Sequence, residues 1–258
     1  VSEAQAIQDA ALQYQCPPQG LLDRIILVTG AGDGIGRAVS LALADHGATV
    51  ILLGRTQNKL EAVYDEIKKR GGPEPALAPV NLEVATPADY AELAGLFEGE
   101  FDRLDGLLHN ASMLGEITPL DHYPTGTWNS VMQVNVNAQL QLTQALLPLL
   151  RQSEDASLLF TSSGVGRQAR AFWGAYAVSK FANEGMMQIF AQELDKTSSI
   201  RVNSINPGAT RTRMRAAAYP GEDPQSLPPP ADLVAPYLYL LGPASQGVNG
   251  QALDAQRK

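Results

Sequence analysis

The sequence predicts a three-layer α/β domain built on a doubly wound sheet of about seven mainly parallel strands. Three observations carry this. Short apolar runs alternate with helical stretches along most of the chain. Runs such as Val50-Ile51-Leu52-Leu53 are apolar without alternation, as expected of strands buried on both faces. A glycine-rich turn joins the first run to the first helix.

Residues 1–20 read as an N-terminal arm. Within it, 4–15 suit a polar helix that Cys16-Pro17-Pro18-Gln19-Gly20 ends. Ile25-Ile26-Leu27-Val28 is too short for a helix and opens the alternation. An amphipathic stretch follows over 37–46, then a strand over 49–53 and a charged helix over 58–70. The series continues with a strand near 76–80, a helix from 87 to about 98 and a strand over 104–108. A long helical pattern runs to about 150. Strand 157–161, a helix around 173–194 and strand 200–205 complete the regular part. Such spacing specifies right-handed crossovers and a parallel sheet. Five of the 17 prolines fall within 220–230, a stiff excursion before a last helix (231–241) and a short strand (251–253). No linker divides the chain, so 21–258 reads as one domain.

At 258 residues the chain can bury a core without disulfide or metal staples. Its single cysteine, Cys16, excludes an internal disulfide framework and a cysteine-built metal site, and suits a reducing compartment. A net charge of −8 argues against nucleic acid or an anionic membrane surface as a partner. No apolar run approaches the roughly 18–20 residues of a bilayer span. The first residues lack the basic start and apolar core of a signal peptide. The expectation is a soluble, cytoplasmic protein.

Thr29-Gly30-Ala31-Gly32-Asp33-Gly34-Ile35-Gly36 lies between the first strand and the first helix of the alternation. In a doubly wound sheet this turn sets backbone N–H groups and a helix N-terminus against a pyrophosphate. Gly30, Gly34 and Gly36 supply positive φ or room for close approach. A tight turn that binds nothing has the same sequence, so this signal is weak alone.

Tyr176 and Lys180 are four residues apart at the start of a helix and share one face. A lysine ammonium beside a phenol lowers the phenol pKa by favouring phenolate, which makes tyrosine a usable acid or base. Tyr64 and Lys68 repeat the spacing on a charged helix and read as solvated surface. Context separates the two pairs, because Ser162-Ser163-Gly164 ends the strand before Tyr176 and offers a hydroxyl to a shared substrate oxygen.

With these motifs in order, the chain resembles the short-chain dehydrogenase/reductase family in its compact form, over roughly 22–254. The glycine turn resembles the family's T-G-x-x-x-G-x-G, and His109-Asn110-Ala111-Ser112 its N-N-A-G segment. Asn135, Ser163, Tyr176 and Lys180 fit its catalytic positions. Pro207, Gly208, Thr210 and Thr212 fit the P-G-x-x-x-T segment that holds the nicotinamide end. The resemblance implies a Rossmann-like fold, a homodimer or homotetramer, and cofactor contacts from Gly30, Asp33, Gly34, Ile35 and Gly36. It implies further contacts from Asn81, Leu82, Asn110, Ala111, Tyr176 and Lys180. Asn81 stands where the family usually has Asp, His109 and Ser112 depart from N-N-A-G, and the D-G-G ending is missing.

The implied activity is hydride transfer between a dinucleotide and a small carbonyl or alcohol substrate, with Tyr176 as proton donor and acceptor. Asn135 is expected to position a water that links Lys180 to solvent. The alternative is a non-catalytic dinucleotide-binding sensor on the same fold. NADP(H) is favoured, with NAD(H) as the alternative. Gly54 stands where NAD-binding relatives carry an acid, and Arg55 follows it with a guanidinium suited to a 2′-phosphate. Arginines 167, 170, 211, 213 and 215 fall on the two segments expected to flank the substrate, which suggests an anionic one. Ion pairs at a subunit interface, or Arg211 on the cofactor pyrophosphate, are the other readings. The three histidines, 46, 109 and 122, read as structural or surface groups.

Overall fold

The computed structural model describes residues 2–257; Val1 and Lys258, which begin the expected arm and end the expected domain, lie outside the described residues. The chain forms α1 (Glu3–Gln13), β1 (Ile25–Thr29), α2 (Gly34–Asp45), β2 (Thr49–Gly54), α3 (Gln57–Lys69) and β3 (Ala76–Pro79). It continues through α4 (Pro87–Glu100), β4 (Gly106–His109), α5 (Thr125–Met132), α6 (Ala138–Arg151) and β5 (Ser157–Thr161). It ends with α7 (Gly174–Leu194), β6 (Arg201–Asn206), α8 (Arg213–Ala218), α9 (Val234–Leu241) and β7 (Ala252–Asp254).

The strands line up as β3-β2-β1-β4-β5-β6-β7, and every pairing is parallel. Because successive side chains leave a strand on opposite faces, unbroken apolar runs feed two cores. Ile26, Val28, Val50 and Leu52 pack on one face with residues of α2, α3 and α9. Leu27, Ile51 and Leu53 pack on the other with residues of α4, α6 and α7. Helix starts follow local chemistry. At α4, Thr86 and Asp89 cap each other's backbone N–H groups, and Pro87 fills the first turn where no donor is needed.

The long helical pattern expected to reach 150 is broken by a π-helical turn over Gln133–Asn137. A π turn inserts one residue and changes which side chains face inward. Here it puts Asn135 fully inside the protein.

The described part of the N-terminal segment packs onto the domain. Ala11 and Leu21 are fully buried in the first core, and Tyr14 meets Tyr239 of α9 edge-on with centroids 5.5 Å apart. The Gln8 amide donates to the Asp254 carbonyl at 2.7 Å and accepts from the Asp254 N–H at 2.8 Å. The helix therefore pairs the outward N–H and C=O of β7 at Asp254. Gln8→Leu forfeits both bonds at about 0.5–1.5 kcal/mol each. By thermal denaturation its melting temperature is expected about 2–6 °C below wild type.

Candidate active site

In a parallel sheet all strand carboxyl ends share one edge, and the direction of winding reverses between β1 and β4. The glycine turn leaves β1 at that edge. Gly30 has φ +69 and Gly34 φ +52. A Cβ on Gly36 would lie 2.2 Å from the Gly30 carbonyl oxygen and 2.6 Å from Asn110 Nδ2. Thr29 Oγ1 accepts the N–H groups of Asn110 and Ala111, both at 2.9 Å, and Asn110 Nδ2 donates to the Thr29 carbonyl at 3.1 Å. Asn110 and Ala111 thus fasten the end of β4 to the turn. The leading N–H groups of α2 have no intrahelical acceptor and point to this edge. A turn without Cβ atoms ahead of a helix N-terminus fits a dinucleotide pyrophosphate.

Asp33 caps α2 through the Gly34 N–H at 2.8 Å, pairs with Lys59 at 2.8 Å, and meets Arg213 of α8. Partial burial raises its pKa, but the bonds from Lys59 and Gly34 outweigh this and hold the carboxyl below its usual value. Arg55 is exposed just past β2. Asn81 is exposed and accepts the Glu83 N–H at 3.2 Å, while Leu82 is buried.

A cleft of about 350 Å³ lies along the same edge. Of the expected residues, Ile35, Ser163, Tyr176, Pro207, Gly208, Thr210 and Thr212 line it. The other glycines, Asp33, Arg55, Asn81, Leu82, Asn110 and Ala111 lie outside its wall. Thr212 and Gly34 connect the two regions, since a Cβ on Gly34 would sit 3.6 Å from Thr212 Cγ2. Sequence reasoning missed Leu114, Met214 and Tyr219 as wall residues. Trp173 also lines the cleft, with its ring 5.7 Å from the Tyr176 ring and 5.9 Å from the Tyr219 ring.

Tyr176 and Lys180 are both buried, with Lys180 Nζ 5.5 Å from the phenol ring centroid. The Tyr176 pKa is raised, not lowered as the spacing predicted. Burial dominates, pushing the phenol up to about 12 against an opposing pull from Ser163. The same burial brings the Lys180 ammonium down to about 7 against the attraction of Glu184. Lys180 Nζ donates to the Thr161 carbonyl at 2.8 Å. The Asn135 side chain is spent within the protein as well. Its Nδ2 donates to the Met113 carbonyl and Ser179 Oγ, both at 2.9 Å, and its Oδ1 accepts the Met113 N–H at 2.7 Å. Both donor hydrogens are used, so the side chain ties the Met113 segment, past the end of β4, to α7.

Four of the five arginines expected to face substrate have protein partners. Arg167 pairs with Glu184 and Asp254, Arg211 bonds the Leu227 carbonyl, Arg213 meets Asp33, and Arg215 grips Glu222. Arg170 lines the cleft, and its side chain has no partner among the described residues. The proline-rich excursion braces the α8 segment through Arg211 and Arg215; Tyr219, which caps α8 just before it, reaches the cleft wall. Tyr64 and Lys68 both bond Glu74 at the surface, as read. His109 stacks on Phe160 with Nε2 2.8 Å from Thr143 Oγ1, and burial lowers its pKa to about 3. It is a neutral structural group.

No helix among the described residues is long and apolar enough to cross a membrane. The short chain dehydrogenase family matches residues 24–223. The oxidoreductase YciK of Escherichia coli K12, itself uncharacterized, is 53% identical over 95% of this chain and 96% of its own. A short chain dehydrogenase structure from Pseudomonas syringae is 58% identical, with a TM-score of 0.93 over 95% of this chain and 99% of the other. A short chain dehydrogenase from Escherichia coli CFT073, solved in complex with NADPH, is 53% identical, with a TM-score of 0.90 over 93% and 100%. The glycine turn at a parallel sheet edge, the buried Tyr176–Lys180 pair beside Ser163 and these likenesses agree: the chain belongs to the short chain dehydrogenase family of oxidoreductases.

Proposed function

We propose that this chain interconverts a carbonyl and an alcohol with NADP(H), using Tyr176 as proton donor and acceptor. The observation that carries this reading is the convergence of Ser163 and Tyr176 on one cleft with Lys180 buried behind the phenol. Bound at the glycine turn, the dinucleotide supplies or takes up the hydride. Ser163 and Tyr176 hydroxyls hydrogen-bond the substrate oxygen and stabilise negative charge as it develops there. A phenol kept protonated by burial is the form that donates in the reducing direction. Lys180, fixed on the Thr161 carbonyl, stands behind it to favour phenolate when it is charged. Asn135 keeps the Met113 segment and α7 in register around them.

Preference for NADP(H) is supported by the NADPH complex of the relative, by Arg55 and by the absence of an acid at Gly54. Lys59 and Arg213 balance the carboxylate of Asp33 in the turn. The substrate reading is a small carbonyl or alcohol compound with an apolar body against Trp173 and Tyr219 and an anionic group within reach of Arg170. A second copy of the chain, in a homodimer or homotetramer, is supported by Val178, Phe181 and Ile189, exposed along one face of α7. The single cysteine suits a cytoplasmic setting.

Three measurements test this. Tyr176→Phe is expected to lose at least about 100-fold in kcat, with NADPH binding little changed; near-wild-type turnover on a carbonyl panel discards the mechanism. Arg55→Ala is expected to weaken NADPH about tenfold and NADH hardly at all, and equal losses in fluorescence titrations refute the cofactor assignment. For matched acid and ester substrates, kcat/KM should favour the acid, and the preference should fade in Arg170→Ala and as salt rises. An ester preference at low salt ends the anion reading.

A further inference from the structure

The segment after β7 makes a contact with the cleft wall that the reaction above does not use. Beyond the last ladder pair, Asn206 with Asp254, the Ala255 N–H still bonds the Asn206 carbonyl at 2.8 Å. Gln256 therefore emerges beside the loop that leaves β6. Its Nε2 donates to the Pro207 carbonyl at 2.7 Å and to the Ala209 carbonyl at 2.8 Å. One primary amide spends both of its hydrogens chelating two carbonyls that flank Gly208. Gly208 has φ +72, and a Cβ there would sit 2.9 Å from Gln256 Nε2. The loop is bent around this amide.

The consequence for the cleft follows from peptide geometry. In a planar trans peptide the C=O and the next N–H point in opposite directions. With the Pro207 carbonyl turned to Gln256, the Gly208 N–H points away and is taken by Asn206 Oδ1 at 3.1 Å. Asn206 Nδ2 is in turn held by Asp254 Oδ1 at 2.8 Å. With the Ala209 carbonyl turned to Gln256, the Thr210 N–H points away from Gln256. That N–H has no hydrogen-bond acceptor among the described residues, and Thr210 is buried in the cleft wall. A buried backbone donor without a protein acceptor is costly unless a ligand or water satisfies it.

We propose that Gln256 is a positioning residue: by holding the Pro207 and Ala209 carbonyls, it aims the Thr210 N–H at a polar acceptor on the nicotinamide half of the bound dinucleotide. This rests on the dinucleotide reading above. The adenosine half, at the glycine turn, makes no use of the clamp.

The test separates the two halves with two probes, NADPH and 2′,5′-ADP, which keeps the phosphorylated adenosine end and lacks the nicotinamide. Binding is titrated by NADPH fluorescence and by displacement calorimetry, on wild type, Gln256→Glu and Gln256→Ala. The glutamate keeps the shape, but as a carboxylate it has no hydrogens to donate. Both variants are expected to weaken NADPH about tenfold, the size of one to two net hydrogen bonds. Binding of 2′,5′-ADP should stay within twofold, and KM for NADPH should rise more than kcat falls. Equal weakening of both probes makes Gln256 merely structural and overturns the proposal, as does unchanged NADPH binding in both variants. If Gln256→Glu fails to fold, the same comparison on Gln256→Ala decides. Wild-type protein that binds neither probe instead refutes the dinucleotide reading itself.

Discussion

The carboxyl edge is organised by how closely the glycine turn folds onto itself. Gly36 stands so near the Gly30 carbonyl that no side chain fits between them, and Asn110 fills the remaining space with its amide. That contact sets where α2 begins and ties β1 to β4 through Thr29. It also fixes the direction of the free helix N–H groups. Thr212 then packs against Gly34 from the opposite lip, so the cleft wall is registered to the turn. A methyl group at Gly36 would disturb all of these relations at once, because backbone rather than a flexible side chain stands in its way.

Burial, more than mutual attraction, dominates the electrostatics of the Tyr176–Lys180 pair. Tyr176 and Lys180 sit where water is excluded, and each is pushed toward its neutral form. The pair is therefore poised by the dielectric of the fold, and a small change of charge nearby has a large effect on it. Glu184, one turn beyond Lys180 on α7, is the anion closest to that balance, and Arg167 and Ser204 hold it in place.

The alternation of apolar runs with helical stretches was enough to read the parallel sheet, because both strand faces must be apolar when helices cover both sides. Ser163 and Tyr176 were legible from their order and spacing, and the segment from Pro207 to Thr212 from its resemblance to the family's motif; all of them line the cleft. What was hidden depends on contacts distant in sequence. The α1 helix buries little more than Ala11 and hooks β7 through one glutamine, so its sequence looks like a solvated arm. The π turn at Asn135 leaves no compositional mark. The arginines after Ser163 and Thr212 look alike as letters, yet acids or carbonyls far along the chain claim four of them. Tyr219 reaches the cleft wall from the end of α8, where its N–H bonds the Arg215 carbonyl.

The way Gln8 joins β7 also bears on how these molecules behave when crowded. An outermost strand with open N–H and C=O groups is a template on which another chain can add a strand. At Asp254 both of those groups are already taken, by a side chain that cannot itself pass the pairing on. At the opposite border, β3 runs only from Ala76 to Pro79, and proline has no N–H to offer a newcomer. The sheet is thus blunted at both ends, by a borrowed amide on one side and a missing donor on the other. Growth of the sheet from molecule to molecule is discouraged without closing it into a barrel.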